Sequence, residues 1–203
     1  MEYMGNKAFW DDKFINRKDS PLSAEKSIVE NIMYFKEGSM LDVACGDGRN
    51  TLFLLGNNFK VTGVDFSAKA IERLNTFAKR NNHSVDTKLI DLSKQNSLND
   101  IGVFDNILIN HYRLSKDQLD EIERHLSDDG ILFICGFGHK HKVDCKIREE
   151  DLIQPSDFEN LKKSFDLIKY VENEDERGFF VTYIFKKIYI STKLDIMNGV
   201  YYR

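Results

Sequence analysis

The 203-residue chain holds only three cysteines, Cys45, Cys135 and Cys145, an odd number without CxxC spacing. That speaks against a disulfide framework. With two of the three in apolar strand contexts, it points to buried free thiols in a reducing compartment. No apolar run approaches the ~18 residues that a membrane span requires. The stretch MEYMGNKAFWDDK has no apolar segment after its start, so no signal peptide is expected. A cytoplasmic protein away from membranes is the expectation. Excess basic charge is also lacking: 29 Lys and Arg against 33 Asp and Glu give a formal net charge of −4. That leaves no general attraction to nucleic acid. Internal repeats and low-complexity segments are missing too. What is present is 41% hydrophobic content, enough at this length for one well-filled core and too little for two.

The most informative stretch is Leu41 to Thr51, LDVACGDGRNT, followed by VTGVDFS from Val61 to Ser67. The first reads as a buried strand, a glycine turn and a helix start. The second is a strand that ends on a carboxylate. Gly46 and Gly48 let the backbone turn tightly and approach a ligand without a Cβ in the way. Asp65, seventeen positions beyond Gly48, is spaced to grip the ribose hydroxyls of an adenosine-containing ligand. A dinucleotide fingerprint needs a third glycine, and Thr51 fills that place. Asp47 adds a negative charge to the turn, unwelcome beside a pyrophosphate and tolerable beside an ammonium and a sulfonium.

Strand and helix signals alternate along the chain. Helical spacing over Ala8 to Asn16 places Phe9, Trp10 and Phe14 near one face. Ser20-Pro21 predicts a helix start, running to about Phe35 on Leu22, Ile28, Ile32 and Phe35. Strands are predicted at Met40–Ala44, Phe59–Asp65, Asp86–Asp91, Phe104–Asn110 and Gly130–Phe137. Helices are predicted over Arg49–Gly56, from a Ser67 cap to about Asn81, and from Ser115, where Ser115 and Gln118 make a capping box. Phe165–Val171 and Phe179–Lys186, joined by ENEDERG, predict an antiparallel hairpin. Residues 188–203, with Tyr189, Tyr201 and Tyr202, read as an appended tail.

LDVACGDGRNT resembles the first motif of class I S-adenosylmethionine-dependent methyltransferases, and VTGVDFS resembles their second. The chain is most similar to the small methyltransferases of the tellurite-resistance and thiopurine type, from about Phe9 to Lys187. One departure is Ala44, where that first motif usually carries its first glycine. The resemblance, with the strand–helix alternation, implies an α/β fold: a Rossmann-like, doubly wound, mainly parallel seven-stranded sheet with a C-terminal antiparallel hairpin and helices on both faces. It implies a single methyltransferase domain over residues 1–187, with residues 1–37 as a helical lid and 38–187 as the core. Its cofactor is S-adenosyl-L-methionine. Asp42 is expected to help hold the methionine amine, and the backbone of Ala44, Cys45, Gly46 and Gly48 to line the cofactor. Asp65 and Phe66 are expected at the ribose, Asp91 at the adenine amino group and Leu92 at a ring nitrogen. Asn110 falls where cofactor and acceptor meet.

Beside that implication stand plainer readings of several residues. Asp91 before Ser93 also suits a turn. His111 and Tyr112 are the candidate bases, although a histidine at a strand end is often a satisfied polar residue. Trp10 and Arg17 belong either to a lid, with Arg17 meeting the methionine carboxylate, or to a staple with Trp10 in the core. His139-Lys140-His141-Lys142 reads as a basic loop rather than a metal site, since its two lysines oppose a cation. The expected activity is methyl transfer to a small-molecule acceptor with a soft nucleophile such as sulfur, selenium or tellurium. A cofactor-binding partner or sensor without turnover is the alternative, and an NAD-dependent oxidoreductase is disfavoured by the missing third glycine. Neither the acceptor nor the oligomeric state is legible.

Overall fold

Among hydrophobic residues, alternate positions of the central strands enter two separate clusters, which is why this sheet is covered on both faces. Leu41, Val43, Ile107, Ile109, Leu132 and Ile134 fall in one cluster. Met40, Leu108, Ile131, Phe133 and Cys135 fall in the other. The structure is a computed structural model that describes residues 3–188 apart from Gly5. Its strands are β1 (Ser39–Val43), β2 (Lys60–Asp65), β3 (Asp86–Leu89), β4 (Phe104–Asn110), β5 (Leu126–Phe137), β6 (Phe165–Asp175) and β7 (Gly178–Lys187). They form one seven-stranded sheet in the order β3-β2-β1-β4-β5-β7-β6. The first five are mutually parallel. β7 runs antiparallel to both β5 and β6. The strand order reverses between β1 and β4, which opens a crevice outside their carboxyl ends.

The helices are α1 (Lys7–Asn16), α2 (Lys26–Glu30), α3 (Arg49–Gly56), α4 (Ala68–Arg80) and α5 (Lys116–Arg124). Leu54 and Leu55 of α3 and Ala78 of α4 cover one face. Leu119 and Ile122 of α5 cover the other. Local chemistry sets the helix starts where the sequence places them. Ser67 Oγ accepts from the Ala70 N–H, and Ser115 with Gln118 closes a reciprocal capping box.

Three expectations are corrected. No helix starts at Ser20-Pro21: residues 21–25 carry no regular structure, and α2 is one turn followed by a 3-10 turn at Ile32–Tyr34. The Glu25 N–H donates to Asn50 Oδ1, and the Ser23 carbonyl accepts from Arg49 Nε. The groups that a helix would use are thus held by α3, and Leu22 is left exposed. The fifth strand opens at Leu126 rather than Gly130, across a bulge in which Phe104 faces Leu126 and Asn106 faces Ile131. The hairpin turn is also tighter than ENEDERG. Glu172 to Asp175 continue β6, and only Glu176 and Arg177 form the turn. The tail beyond Ile188, with Tyr189, Tyr201 and Tyr202, lies outside the described residues. Among those residues no helix is long and apolar enough to cross a membrane.

Candidate active site

The turn after β1 is held open by backbone conformation. Gly46 and Gly48 have φ of 56° and 89°, the left-handed region that favours glycine. Ala44 has φ of 55°, so the position where the methyltransferase motif usually carries glycine is one where a Cβ costs energy. The Asp65 carboxylate closes the turn. Its Oδ2 accepts from the Gly46 N–H at 2.8 Å and its Oδ1 from the Ser67 N–H at 2.9 Å. Burial raises the Asp65 carboxyl above its ordinary range, and those two N–H groups oppose the rise. The Phe66 N–H acts with them, so three backbone donors face this one carboxylate.

Thr51, in the place of the missing third glycine, has a job of its own. Its hydroxyl donates to Asp42 at 2.6 Å, and both residues are buried. Burial pushes the Asp42 carboxyl up to about 7, with the Thr51 hydrogen bond acting against it. Asp47 does not offer its charge to a ligand. Arg17 Nη1 approaches it at 2.7 Å and Arg73 Nη2 at 3.2 Å, and the carboxylate is buried. Arg17 is thereby committed to a protein carboxylate.

Helix α1 roofs this turn. A Cβ on Gly46 would stand 3.1 Å from Phe14 Cζ, so the ring packs closely on this glycine. Trp10 stacks on Phe14 at 5.9 Å and donates its indole N–H to the Met4 carbonyl. Trp10 is only half-buried, so it packs on Phe14 rather than in the core. Lys7 pairs with Asp91 and lies 5.5 Å from the centre of the Phe66 ring. Asp91 also accepts from the Ser93 N–H and hydroxyl, the turn role its sequence allows. The hydrogen bond from Lys7, then that from Ser93, lowers the Asp91 carboxyl to about 2. Leu92 is buried, and its carbonyl accepts from Gln118 Nε2 at 2.6 Å.

Beyond β4 the crevice changes character. His111 has φ of 56°, and its Nε2 lies 2.9 Å from Glu25 Oε2. Arg177, from the β6–β7 turn, reaches the same carboxylate at 2.8 and 3.1 Å. Arg49, at the start of α3, approaches it at 3.1 Å. Burial alone would raise the Glu25 carboxyl. Hydrogen bonds from His111 and Arg177, with Arg49 nearby, outweigh it and hold the group well below the usual carboxylate range. The rings of Phe137 and Phe180 flank His111 at 5.6 and 5.5 Å. His111 Nδ1 and Asn110 Oδ1 are buried without a hydrogen-bond partner.

The structure therefore brings Asn110 and His111 to one place and leaves Tyr112 out of it. Tyr112 packs on the α5 side of the core, its hydroxyl 3.5 Å from Gln118 Nε2. Sequence reasoning missed Glu25, Arg49 and Arg177. No local pattern marks them, since they meet only through the sheet order. In the basic loop, Lys140 pairs with Glu172 and His141 Nδ1 accepts from the Phe179 N–H. Among the described residues, no three His, Cys, Asp or Glu side chains are grouped to hold a metal ion. Burial pushes the Cys45 and Cys135 thiols up, while Cys145 is exposed.

The family model described as "Tellurite resistance protein TehB" matches residues 4–178. A curated relative from Haemophilus influenzae, "Probable S-adenosyl-L-methionine-dependent methyltransferase TehB", is 20% identical over 169 residues, 81% of this chain and 59% of that protein. The chain thus spans less than two thirds of that relative's length. The crystal structure of TehB from Haemophilus influenzae superposes with a TM-score of 0.69 at 22% identity, over 88% of this chain and 67% of that one. The N-methyltransferase NodS from Bradyrhizobium japonicum, solved with S-adenosyl-L-homocysteine, gives 0.67 at 14% identity, over 87% and 96%. A structure solved for the conversion of a disulfide bond into a thioacetal group during echinomycin biosynthesis gives 0.72 at 14%, over 96% and 98%. At these identities the likeness is one of fold.

Proposed function

The chain belongs to the TehB family of tellurite resistance proteins, and from that premise we propose that it transfers the methyl group of S-adenosylmethionine to a small acceptor bearing a soft nucleophile. The carrying observation is Asp65, buried at the end of β2 and bonded to the turn that follows β1. That arrangement fits the two hydroxyls of an adenosyl ribose. Left-handed backbone at Ala44 and Gly46, roofed by Phe14, suits the amino-acid part of the cofactor. Asp42 stands beneath it, poised to change charge near neutrality.

When bound, S-adenosylmethionine supplies a methyl group already attached to a good leaving group. The chain's own residues then have two tasks, alignment of an acceptor and exclusion of water, and proximity alone is worth several kcal/mol. The second half of the crevice suits the first task. Arg49 and Arg177 converge on Glu25, with Asp175 also on Arg177, beside the Phe137 and Phe180 rings, a charge-balanced polar cluster against an aromatic wall. It favours a small, polarizable acceptor. The tellurite association of the family supports that choice.

The test is formation of S-adenosylhomocysteine with a panel of thiols, selenite and tellurite. Turnover on one of these soft acceptors supports the reading. Cofactor binding with no turnover on any of them would make the protein a binder or sensor instead.

A further inference from the structure

Helix α1 and the residues ahead of it cross the carboxyl ends of three strands. Tyr3 and Met4 touch the segment after β5, Lys7 pairs with Asp91 after β3, and Phe14 lies on the turn after β1. A ligand as long as S-adenosylmethionine cannot slip beneath a strap tied at both ends, so one end must let go. The two ties differ in kind.

At Arg17 the strap is bound from two elements in a buried place. Arg17 Nη1 donates to Asp47 at 2.7 Å, and that carboxylate also accepts from Arg73 Nε at 3.2 Å. Arg73, itself buried, donates through Nη1 and Nη2 to the carbonyls of Arg17 and Lys18 at 3.3 and 2.6 Å. Parting these groups would strand a buried carboxylate. The other tie lies within reach of water. The Tyr3 hydroxyl donates to Asp151 at 2.7 Å, and the Arg148 guanidinium stands 3.6 Å from the centre of its ring. The Met4 N–H donates to the Lys146 carbonyl at 3.2 Å. Tyr3 is half-buried and Arg148 exposed, so water replaces these contacts when they part. Between the ties, burial and then the charges of Arg17 and Lys146 push the Lys13 ammonium down. That repulsion sets α1 against the segment after β5, and the Tyr3 tie holds against it.

We propose that the strap from Tyr3 to Arg17 is hinged at Arg17 and latched at Tyr3, and that release of Tyr3 from Asp151 and Arg148 admits S-adenosylmethionine and discharges S-adenosylhomocysteine. This rests on the methyl-transfer reading of the crevice. Opening of such a lid sets the turnover rate of many enzymes. The latch contacts lie between the strap and the segment after β5, and they are the same with the crevice empty or filled. Weakening them therefore raises the opening equilibrium equally in both states. Entry and exit quicken together, and affinity stays where it was. A side chain that touched the cofactor would change exit alone.

The test is rapid filtration with tritiated S-adenosylmethionine on the full-length parent and on Tyr3→Ala. Association and dissociation should both be about tenfold faster in the variant, as expected for loss of a charge-assisted bond and a ring contact, with Kd within about twofold of the parent. Arg148→Ala keeps the bond from Tyr3 to Asp151 and should raise both rates by less. Amide exchange without ligand reads the latch itself. The Met4 N–H should exchange about tenfold faster in Tyr3→Ala, while the Phe104 N–H, bonded to the His125 carbonyl at 2.9 Å, keeps its rate. Unchanged association and dissociation in Tyr3→Ala overturn the proposal. So does faster dissociation with unchanged association, which would make Tyr3 a contact of the bound cofactor. Failure of the parent to bind S-adenosylmethionine would instead defeat the underlying methyl-transfer reading.

Discussion

Around the glycine turn, most polar contacts join residues near one another in the chain, Asp65 with Gly46 and Ser67 and Asp42 with Thr51, and Asp47 alone reaches farther, to Arg17 and Arg73. Around His111 they join residues from the whole length of the chain, Glu25 with Arg49, His111 and Arg177. The first half of the crevice is a local motif that any sheet of this order would present at the end of β1. The second half exists only when α2, α3, β4 and the β6–β7 turn are all in place. Both halves have buried carboxylates with displaced titrations, upward at Asp42 and Asp65 and downward at Glu25. Asp42 meets a single hydroxyl, so burial prevails and raises it. Glu25 meets three basic side chains, so its partners prevail and lower it. A glycine turn can be written in a short stretch of sequence, whereas a charged cluster of this kind is a product of folding.

The sharpest way to break the comparison is Glu25→Ala. It leaves two guanidinium groups beside a histidine without their common counter-charge. A loss of about 3–5 kcal/mol in chemical denaturation is expected, as when one partner of a buried ion pair is removed. A loss below about 1 kcal/mol would mean the cluster is ordinary surface chemistry.

Next in size is the pH dependence carried by Asp42. Its folded value of about 7 lies above its ordinary 3.8, so its contribution to stability is complete below about pH 4 and is lost as pH rises through 7. Asp42→Asn should remove roughly 3 kcal/mol of that decline between pH 4 and 7. Parallel stability curves for parent and variant would contradict the assignment. Glu25 acts with the opposite sign, giving stability that is present above about pH 4.5 and lost in acid.

Asp65→Ala probes the local half. A charge-assisted hydrogen bond contributes about 1.5–3 kcal/mol, so affinity for S-adenosylmethionine should fall at least about tenfold. An unchanged affinity in a folded variant would reassign the end of β2. The smallest expected effect is at Ala44. Ala44→Gly removes a Cβ from left-handed backbone and should raise stability by about 1 kcal/mol in thermal or chemical unfolding. A destabilised variant would show that the strain is relieved elsewhere.

What was legible in the chain follows the same division. The parallel sheet, the closing hairpin, the Ser67 and Ser115 caps and the Asp65 position rest on patterns a few residues long, and the fold keeps them. The failed helix at Ser20-Pro21 rests on equally local signals, yet Asn50 and Arg49 take its backbone groups from outside. Arg177 is the one basic residue in what reads as a polar linker, and nothing in ENEDERG tells that it reaches back to Glu25. Asp47 and Arg17 are misjudged for a related reason. Each reads as a free charge facing a ligand, and each is the other's partner across thirty positions of chain.

The central claim is that the crevice at the β1–β4 switch point takes an adenosyl sulfonium rather than a dinucleotide. Isothermal titration with S-adenosylmethionine, with NAD as the control, tests it most directly. Micromolar binding of S-adenosylmethionine and no measurable binding of NAD is the result this account predicts. Binding of NAD alone would contradict it and make Asp65 the ribose ligand of a dinucleotide.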